Sequence, residues 1–128
     1  MYELRVATHF AAAHQLQMVA QKCENLHGHN WKVDVCVRGE KLDAGGVLVD
    51  FGVIKRHVAD IMEELDHKFL NQLEPFRENF PPSSENIARY VARRLQTALG
   101  GLAVHVSSVS AWESDNACAT YFPPPDDL

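Results

Sequence analysis

Apolar and polar residues alternate from the first positions of the chain. Tyr2, Leu4, Val6 and Thr8 share one parity, Glu3 and Arg5 the other, and the run turns apolar through Phe10, Ala11, Ala12 and Ala13. A period of two predicts a strand over residues 2–12, with His14 just beyond its end. Residues 15–22 are polar enough for a loop. Alternation returns at Trp31: Trp31, Val33, Val35 and Val37 lie on one face, Lys32, Asp34, Cys36 and Arg38 on the other, as in a half-buried strand. Asp43-Ala44-Gly45-Gly46 supplies turn chemistry, so Val47-Leu48-Val49 is expected to return as a hairpin partner.

The period then changes. Val53, Ile54, His57, Val58, Ile61, Met62 and Leu65 recur at helical spacing behind Asp50, a residue suited to capping the first turn. Leu65-Asp66-His67 closes this helix, and a loop with Pro75, Pro81 and Pro82 follows. Ser83 or Ser84 can cap a second helix whose buried face is Ile87, Val91, Ala92, Leu95, Ala98 and Leu99, and Gly100-Gly101 stops it. Residues 102–113 read as a strand whose phase slips at Ser107-Ser108, the mark of a bulge. Ser114-Asp115-Asn116 is a turn and residues 117–122 a last strand. The order ββααββ predicts an α+β domain over residues 1–122, a four-stranded antiparallel sheet with two helices on one face. Residues 123–128, opening with three prolines, are expected to form a loose tail.

The stretch richest in chemistry is Cys23-Glu24-Asn25-Leu26-His27-Gly28-His29. In extended backbone His27 and His29 point to the same side, a metal-binding disposition. Gly28 between them admits backbone angles closed to other residues. A catalytic zinc keeps three protein ligands and one position for water or substrate, so a third ligand is needed from elsewhere. His14, at a strand end, is placed to reach the pair. Cys23, four residues before His27, is a candidate nucleophile or base, because a thiol is easily tuned by a nearby cation. No second cysteine stands near enough for a cysteine-rich structural finger.

Composition narrows the setting. A chain of 128 residues supports one core without staples. Its three cysteines, Cys23, Cys36 and Cys118, are too few and scattered for a disulfide framework, which argues for a reducing compartment. With no basic leader and no long apolar run, a cytoplasmic location without a membrane span is expected. A net charge of -5 and the absence of a Lys/Arg run argue against nucleic acid as partner. His9, His57 and His105 receive no role. Cys36, Cys118, Trp31 and Trp112 read as packing residues, with the tryptophans candidates to neighbour a ring ligand.

The chain resembles the family of 6-pyruvoyltetrahydropterin and bacterial 6-carboxytetrahydropterin synthases. The resemblance spans nearly its whole length, through Phe10-Ala11-Ala12-Ala13-His14, the Cys-x-x-x-His-Gly-His of residues 23–29, Val49-Asp50-Phe51, Leu65-Asp66-His67, Pro82-Ser83-Ser84-Glu85-Asn86 and Trp112-Glu113. It implies the tunnelling fold, assembled as a hexamer from two trimers, with active sites between subunits. It implies Zn2+ on His14, His27 and His29, Cys23 as catalytic thiol, Asp66 and His67 as an acid/base pair, and Glu113 as anchor for a pterin substrate. Glu113 is then expected near a pocket mouth or bonded to backbone N–H groups. Adjacent residues such as Asp66 and His67 often point apart, so an aspartate from elsewhere remains an alternative partner for His67.

The short spacing from Cys23 to His27 resembles the bacterial branch. That branch converts 7,8-dihydroneopterin triphosphate to 6-carboxy-5,6,7,8-tetrahydropterin, releasing acetaldehyde and triphosphate, on the way to queuosine. The alternatives are 6-pyruvoyltetrahydropterin formation and cleavage to 6-hydroxymethyl-7,8-dihydropterin for folate. Glu24 resembles the base of the folate branch, and its presence beside Cys23 raises dual activity. From a different class stands a zinc-binding protein without turnover, with Cys23 closing the coordination sphere. Lys22, Lys32, Lys55 and Lys68 are candidates for the triphosphate by charge alone.

Overall fold

A computed structural model describes residues 1–17 and 25–124. Two long strands, β1 (Tyr2–His14) and β2 (His27–Gly39), pair antiparallel along their full length. Helix α1 (Phe51–Leu65) follows, then a two-residue strand β3 (Lys68–Phe69), two short 3-10 turns, helix α2 (Ser84–Ala98), β4 (His105–Ser114) and β5 (Ala117–Tyr121). The strand order is β3-β1-β2-β4-β5. The sheet therefore has five strands rather than the expected four, and it is mixed, because β3 runs parallel to β1 through Ala12 and Ala13. Two residues are too few to leave a periodicity, so the sequence pattern is silent there.

Both helices begin as their residues dictate. Asp50 accepts from the backbone N of Gly52, and Ser83 from that of Asn86, satisfying donors the first turns leave open. Ile54, Val58, Ile61, Met62 and Leu65 of α1 and Ile87, Ala88, Val91, Ala92 and Leu95 of α2 are buried. They cover the sheet face that carries Val6, Phe10, Trp31, Val33, Val35, Val37, Val109 and Ala111. Gly101 ends the passage from α2 at φ 90, in backbone that glycine tolerates. The slip at Ser107 is a bulge: Cys36 faces Ser108 and Val37 faces Val106, leaving Ser107 unopposed.

Val47-Leu48-Val49 is not a strand. Asp43 closes the preceding turn, accepting from Gly45 and Val47 through Oδ1, and the chain runs directly to the Asp50 cap. A returning strand would need a free edge of β2, and both edges are taken, by β1 and β4. The fourth strand starts at His105, three residues later than the pattern suggested. Cys36 is buried as expected, whereas Cys118 is exposed on edge strand β5 rather than packed. Ala98, assigned to the buried face of α2, is also exposed.

Candidate functional site

The register of β1 on β2 sets Phe10 opposite Trp31, Ala12 opposite His29 and His14 opposite His27. All six lie on the face the helices cover, so the histidines continue the core stripe to the end of the sheet. Trp31, fully buried, forms the floor: its ring stacks on Phe10 and meets His14 and His29 edge-on, at 5.1 and 5.4 Å between centroids. His14 is fully buried, while His27 and His29 are half-buried. Gly28 keeps ordinary extended backbone, and a Cβ there would meet only the Ala12 carbonyl at 3.7 Å. The special backbone freedom expected of it is not used.

The second ring nitrogens decide what the cluster presents. His14 Nδ1 stands 2.7 Å from the Pro82 carbonyl oxygen, and His27 Nδ1 2.7 Å from that of Asn25. A carbonyl can only accept, so each Nδ1 carries the proton and each Nε2 turns a lone pair inward. Those two Nε2 atoms are 3.1 Å apart. Two lone pairs at that distance repel unless a cation lies between them. Ligands about 2.0 Å from a tetrahedral zinc stand roughly 3.3 Å from each other, close to the spacing seen. His29 Nε2 is buried and directs no hydrogen bond, although Glu113 Oε1 is 2.9 Å away. Burial holds the pKa of His29 below its ordinary value, with the neighbouring His27 and His14 adding to the effect and Glu113 opposing it, which favours the neutral, ligating form. The donor set fits a divalent cation such as zinc.

Glu113 is partly exposed, as a position at a pocket mouth requires, and also reaches the imidazoles. Its Oε1 is 2.9 Å from His29 Nε2, 3.2 Å from His14 Nε2 and 3.9 Å from His27 Nε2. Four potential ligand atoms thus fall within 4.8 Å of one another. Strand alternation places it there, because Glu113 shares the parity of the buried Val109 and Ala111; on the β5 side a bulge, with Trp112 facing Cys118 and Ser114 facing Ala117, leaves Glu113 without a partner across the ladder. The sequence pattern showed the bulge at Ser107 because apolar residues flank it. The bulge at Glu113 leaves no such slip, because Val109, Ala111 and Glu113 keep one parity up to it.

Asp66 and His67 do not point apart. Beyond α1, His67 takes φ 57, and this turn brings its backbone N to 2.6 Å from the Ala11 carbonyl while Asp66 Oδ1 accepts from Ala11 N at 2.8 Å. Asp66 Oδ2 is left to meet His67 Nδ1 at 2.8 Å. The Ala11 N–H, and then His67, hold the Asp66 carboxyl below the usual carboxylate range. The alternative of a distant aspartate is not needed. The His67 ring is largely exposed and, with Ala13, Gly28, His29 and Lys68, lines an open cavity of about 550 Å³. Of the histidine cluster, His29 is the member among the residues lining that cavity.

Other expected participants lie apart. Trp112 is on the helix-free face, donating to Asp34 Oδ2 at 3.0 Å with Lys32 Nζ 5.6 Å from its ring centroid. Cys23, Glu24 and Lys22 are outside the described residues. No helix among the described residues is long and apolar enough to cross a membrane.

Fold and site together define an α+β protein with a histidine-lined centre. The sequence model of the 6-pyruvoyl tetrahydropterin synthase family matches residues 3–124. The chain is 35% identical over 120 residues to 6-carboxy-5,6,7,8-tetrahydropterin synthase of Synechocystis sp., covering 90% of this chain and 88% of that one. It is 35% identical over 106 residues to dihydroneopterin monophosphate aldolase of Pyrococcus furiosus, covering 83% and 84%. To 6-pyruvoyl tetrahydrobiopterin synthase of Homo sapiens it is 35% identical over 103 residues, covering 78% and 70%. In three dimensions it is similar to 6-pyruvoyl tetrahydropterin synthase of Caenorhabditis elegans, with a TM-score of 0.83, 24% identity and 96% of each chain covered. The chain belongs to the 6-pyruvoyl tetrahydropterin synthase family of pterin-converting lyases and has the tunnelling fold.

Proposed function

We propose that this chain is a zinc-dependent lyase that converts 7,8-dihydroneopterin triphosphate to 6-carboxy-5,6,7,8-tetrahydropterin, with release of acetaldehyde and triphosphate, in cytoplasmic queuosine synthesis. The observation that carries the reading is the convergence of the His14, His27 and His29 side chains, with His29 and His67 among the residues lining one cavity. When bound, zinc on the three imidazoles supplies Lewis-acid stabilisation to negative charge developing on a substrate oxygen.

The remaining roles belong to the chain. Cys23, as thiolate, takes a proton from a side-chain carbon of the substrate. Asp66, fixed by Ala11 and 2.8 Å from His67 Nδ1, orients the imidazole that returns a proton. Glu113 accepts from the guanidine-like edge of the pterin ring, a two-donor face matched to a carboxylate. Lys68 lines the same cavity as His67 and is, among the described residues, the candidate lysine for the triphosphate. A hexamer of two trimers is the proposed assembly; the exposed edge strand β5, paired on one side alone, supports further association.

The Cys23-to-His27 spacing favours the carboxy-forming reaction, and the Synechocystis relative agrees with it by name. A second reading rests on Glu24 and on the aldolase of Pyrococcus furiosus, equal in identity: cleavage of the side chain, with Glu24 as base. Mass identification of the pterin formed from 7,8-dihydroneopterin triphosphate by zinc-loaded wild type, Cys23→Ala and Glu24→Ala tests both. The first reading requires 6-carboxytetrahydropterin from wild type and none from Cys23→Ala. If Glu24→Ala leaves every product unchanged, the second reading fails. If the wild type converts no pterin, both do.

A further inference from the structure

The Glu113 carboxylate is directed at all three imidazoles. Its Oε1 lies 2.9, 3.2 and 3.9 Å from the three imidazole Nε2 atoms, values that bracket the roughly 3.3 Å edge of a tetrahedral zinc site. The carboxylate thus stands where a fourth vertex would be. The four groups differ in how firmly they are held. His14 is buried and tied to the Pro82 carbonyl, His27 is tied to that of Asn25, and His29 is fixed by its place in the paired strand. Glu113 sits on a bulge without a cross-strand partner, and 38% of its side chain is exposed.

We infer that Glu113 is a displaceable fourth ligand: its carboxylate closes the metal site in the resting protein and leaves it to pair with the donor edge of an incoming pterin. This rests on the three-histidine ligand set of the proposed function. It goes beyond that reading by making the two roles of one carboxylate mutually exclusive. Among the described residues Glu113 is the only acidic member of the cluster. The two-donor edge of a pterin offers Glu113 a partner when it leaves the metal, so pterin binding favours opening of the position beside the histidines. By linkage, pterin binding and metal retention then oppose each other to the same extent.

The experiment measures zinc affinity by chelator competition, and the visible absorption of the Co2+-substituted protein, with and without a pterin that lacks the reactive side chain. Wild type, Glu113→Gln and Glu113→Asp are compared. Losing a direct ligand is expected to raise the zinc Kd of Glu113→Gln by at least about tenfold, the lower end of what losing an outer-shell partner costs. Its Co2+ spectrum should differ from that of wild type. The unreactive pterin should weaken zinc binding and shift the Co2+ spectrum in wild type and do neither in Glu113→Gln. Glu113→Asp keeps the charge and shortens the reach, so it should resemble Glu113→Gln. Equal zinc affinity and identical Co2+ spectra in wild type and Glu113→Gln would overturn the inference and leave the three-histidine reading standing. Zinc binding undiminished in His14→Ala would overturn both.

Discussion

The carbonyl oxygen of Pro82 is the hydrogen-bond partner of His14 Nδ1, at 2.7 Å across the end of the core. Pro82 stands immediately before Ser83, the residue that caps α2, so the start of a helix sets the tautomer of an imidazole at the end of β1. Replacing His14 by Ala removes one metal ligand and also leaves a buried carbonyl without its donor. The variant is expected to lose about 1–3 kcal/mol in the metal-free state. It should also lose the extra stability that zinc confers on wild type by mass action. Equilibrium unfolding in urea, with chelator and with excess zinc, checks both. A variant still stabilised by zinc as strongly as wild type would remove His14 from the ligand set.

Asp66 has two oxygens with separate tasks, one on Ala11 N and one on His67 Nδ1. Asn and Ala at this position therefore differ in informative ways. Asp66→Asn can keep an oxygen on the Ala11 N–H but presents no negative charge to His67. Its kcat should fall on the order of tenfold or more, with the KM and the melting temperature little changed. Asp66→Ala loses the β1 contact as well and should melt lower than Asp66→Asn. Because the Asp66 carboxyl is held below its ordinary value, its contribution to stability is present above the unfolded-state pKa and is lost as pH falls through the lower, folded one. An Asp66→Asn enzyme with wild-type kcat would detach the carboxylate from the acid/base role.

How much of this was legible in the chain follows from what each feature leaves as a pattern. Strands β1 and β2, helices α1 and α2, the Asp50 and Ser83 caps and the Ser107 bulge all leave periodicities or capping residues, and they were readable. The two-residue strand β3 leaves none. The strand expected at Val47-Leu48-Val49 had the right composition, but β1 and β4 already take both edges of its intended partner, a fact only the assembled sheet contains. At the site, His27 and His29 were readable from their spacing, and His14 from its place at a strand end. The contact of Asp66 with His67 depends on a positive φ, which has no sequence signature. The face of Glu113 follows from its parity with Val109 and Ala111, whereas its distance from the imidazoles is set only by the assembled sheet.

Between the helices, Tyr90 Oη donates to Glu64 Oε1 at 2.8 Å, and Arg94 grips both oxygens of the same carboxylate, at 3.0 and 2.7 Å. Arg94, with help from Tyr90, holds the Glu64 carboxyl below its ordinary value, while burial and then Glu64 push the Tyr90 phenol up to about 12. A raised folded-state pKa stabilises the protein fully below the unfolded value near 10, and that stability is lost as pH rises through the folded one. Tyr90→Phe is therefore expected to be less stable than wild type by about 1 kcal/mol at neutral pH. The difference should close as the pH is raised from 10 to about 12. Urea midpoints of the two proteins across that range test this. A difference that stays constant would mean the phenol is not held in its protonated form by the fold.

Gly39 ends β2 at the opposite end of the strand from His27, 12 residues away in a strand of 13, or about 40 Å. A Cβ there would lie 2.7 Å from Leu48 Cδ1, 2.9 Å from the Ala103 carbonyl oxygen and 3.1 Å from Val104 Cγ1. The Leu48 methyl can turn aside. The Ala103 carbonyl belongs to the backbone leading into β4 and cannot do so without moving the strand. Gly39→Ala should therefore cost about 1–3 kcal/mol through overpacking. Because the crowding is remote from the histidines, the folded variant should bind zinc with wild-type affinity and stoichiometry. Urea unfolding combined with chelator competition separates the two effects. An unchanged urea midpoint would show that β4 yields freely at Ala103, and a loss of zinc affinity would show that strain at this end of β2 reaches the metal ligands.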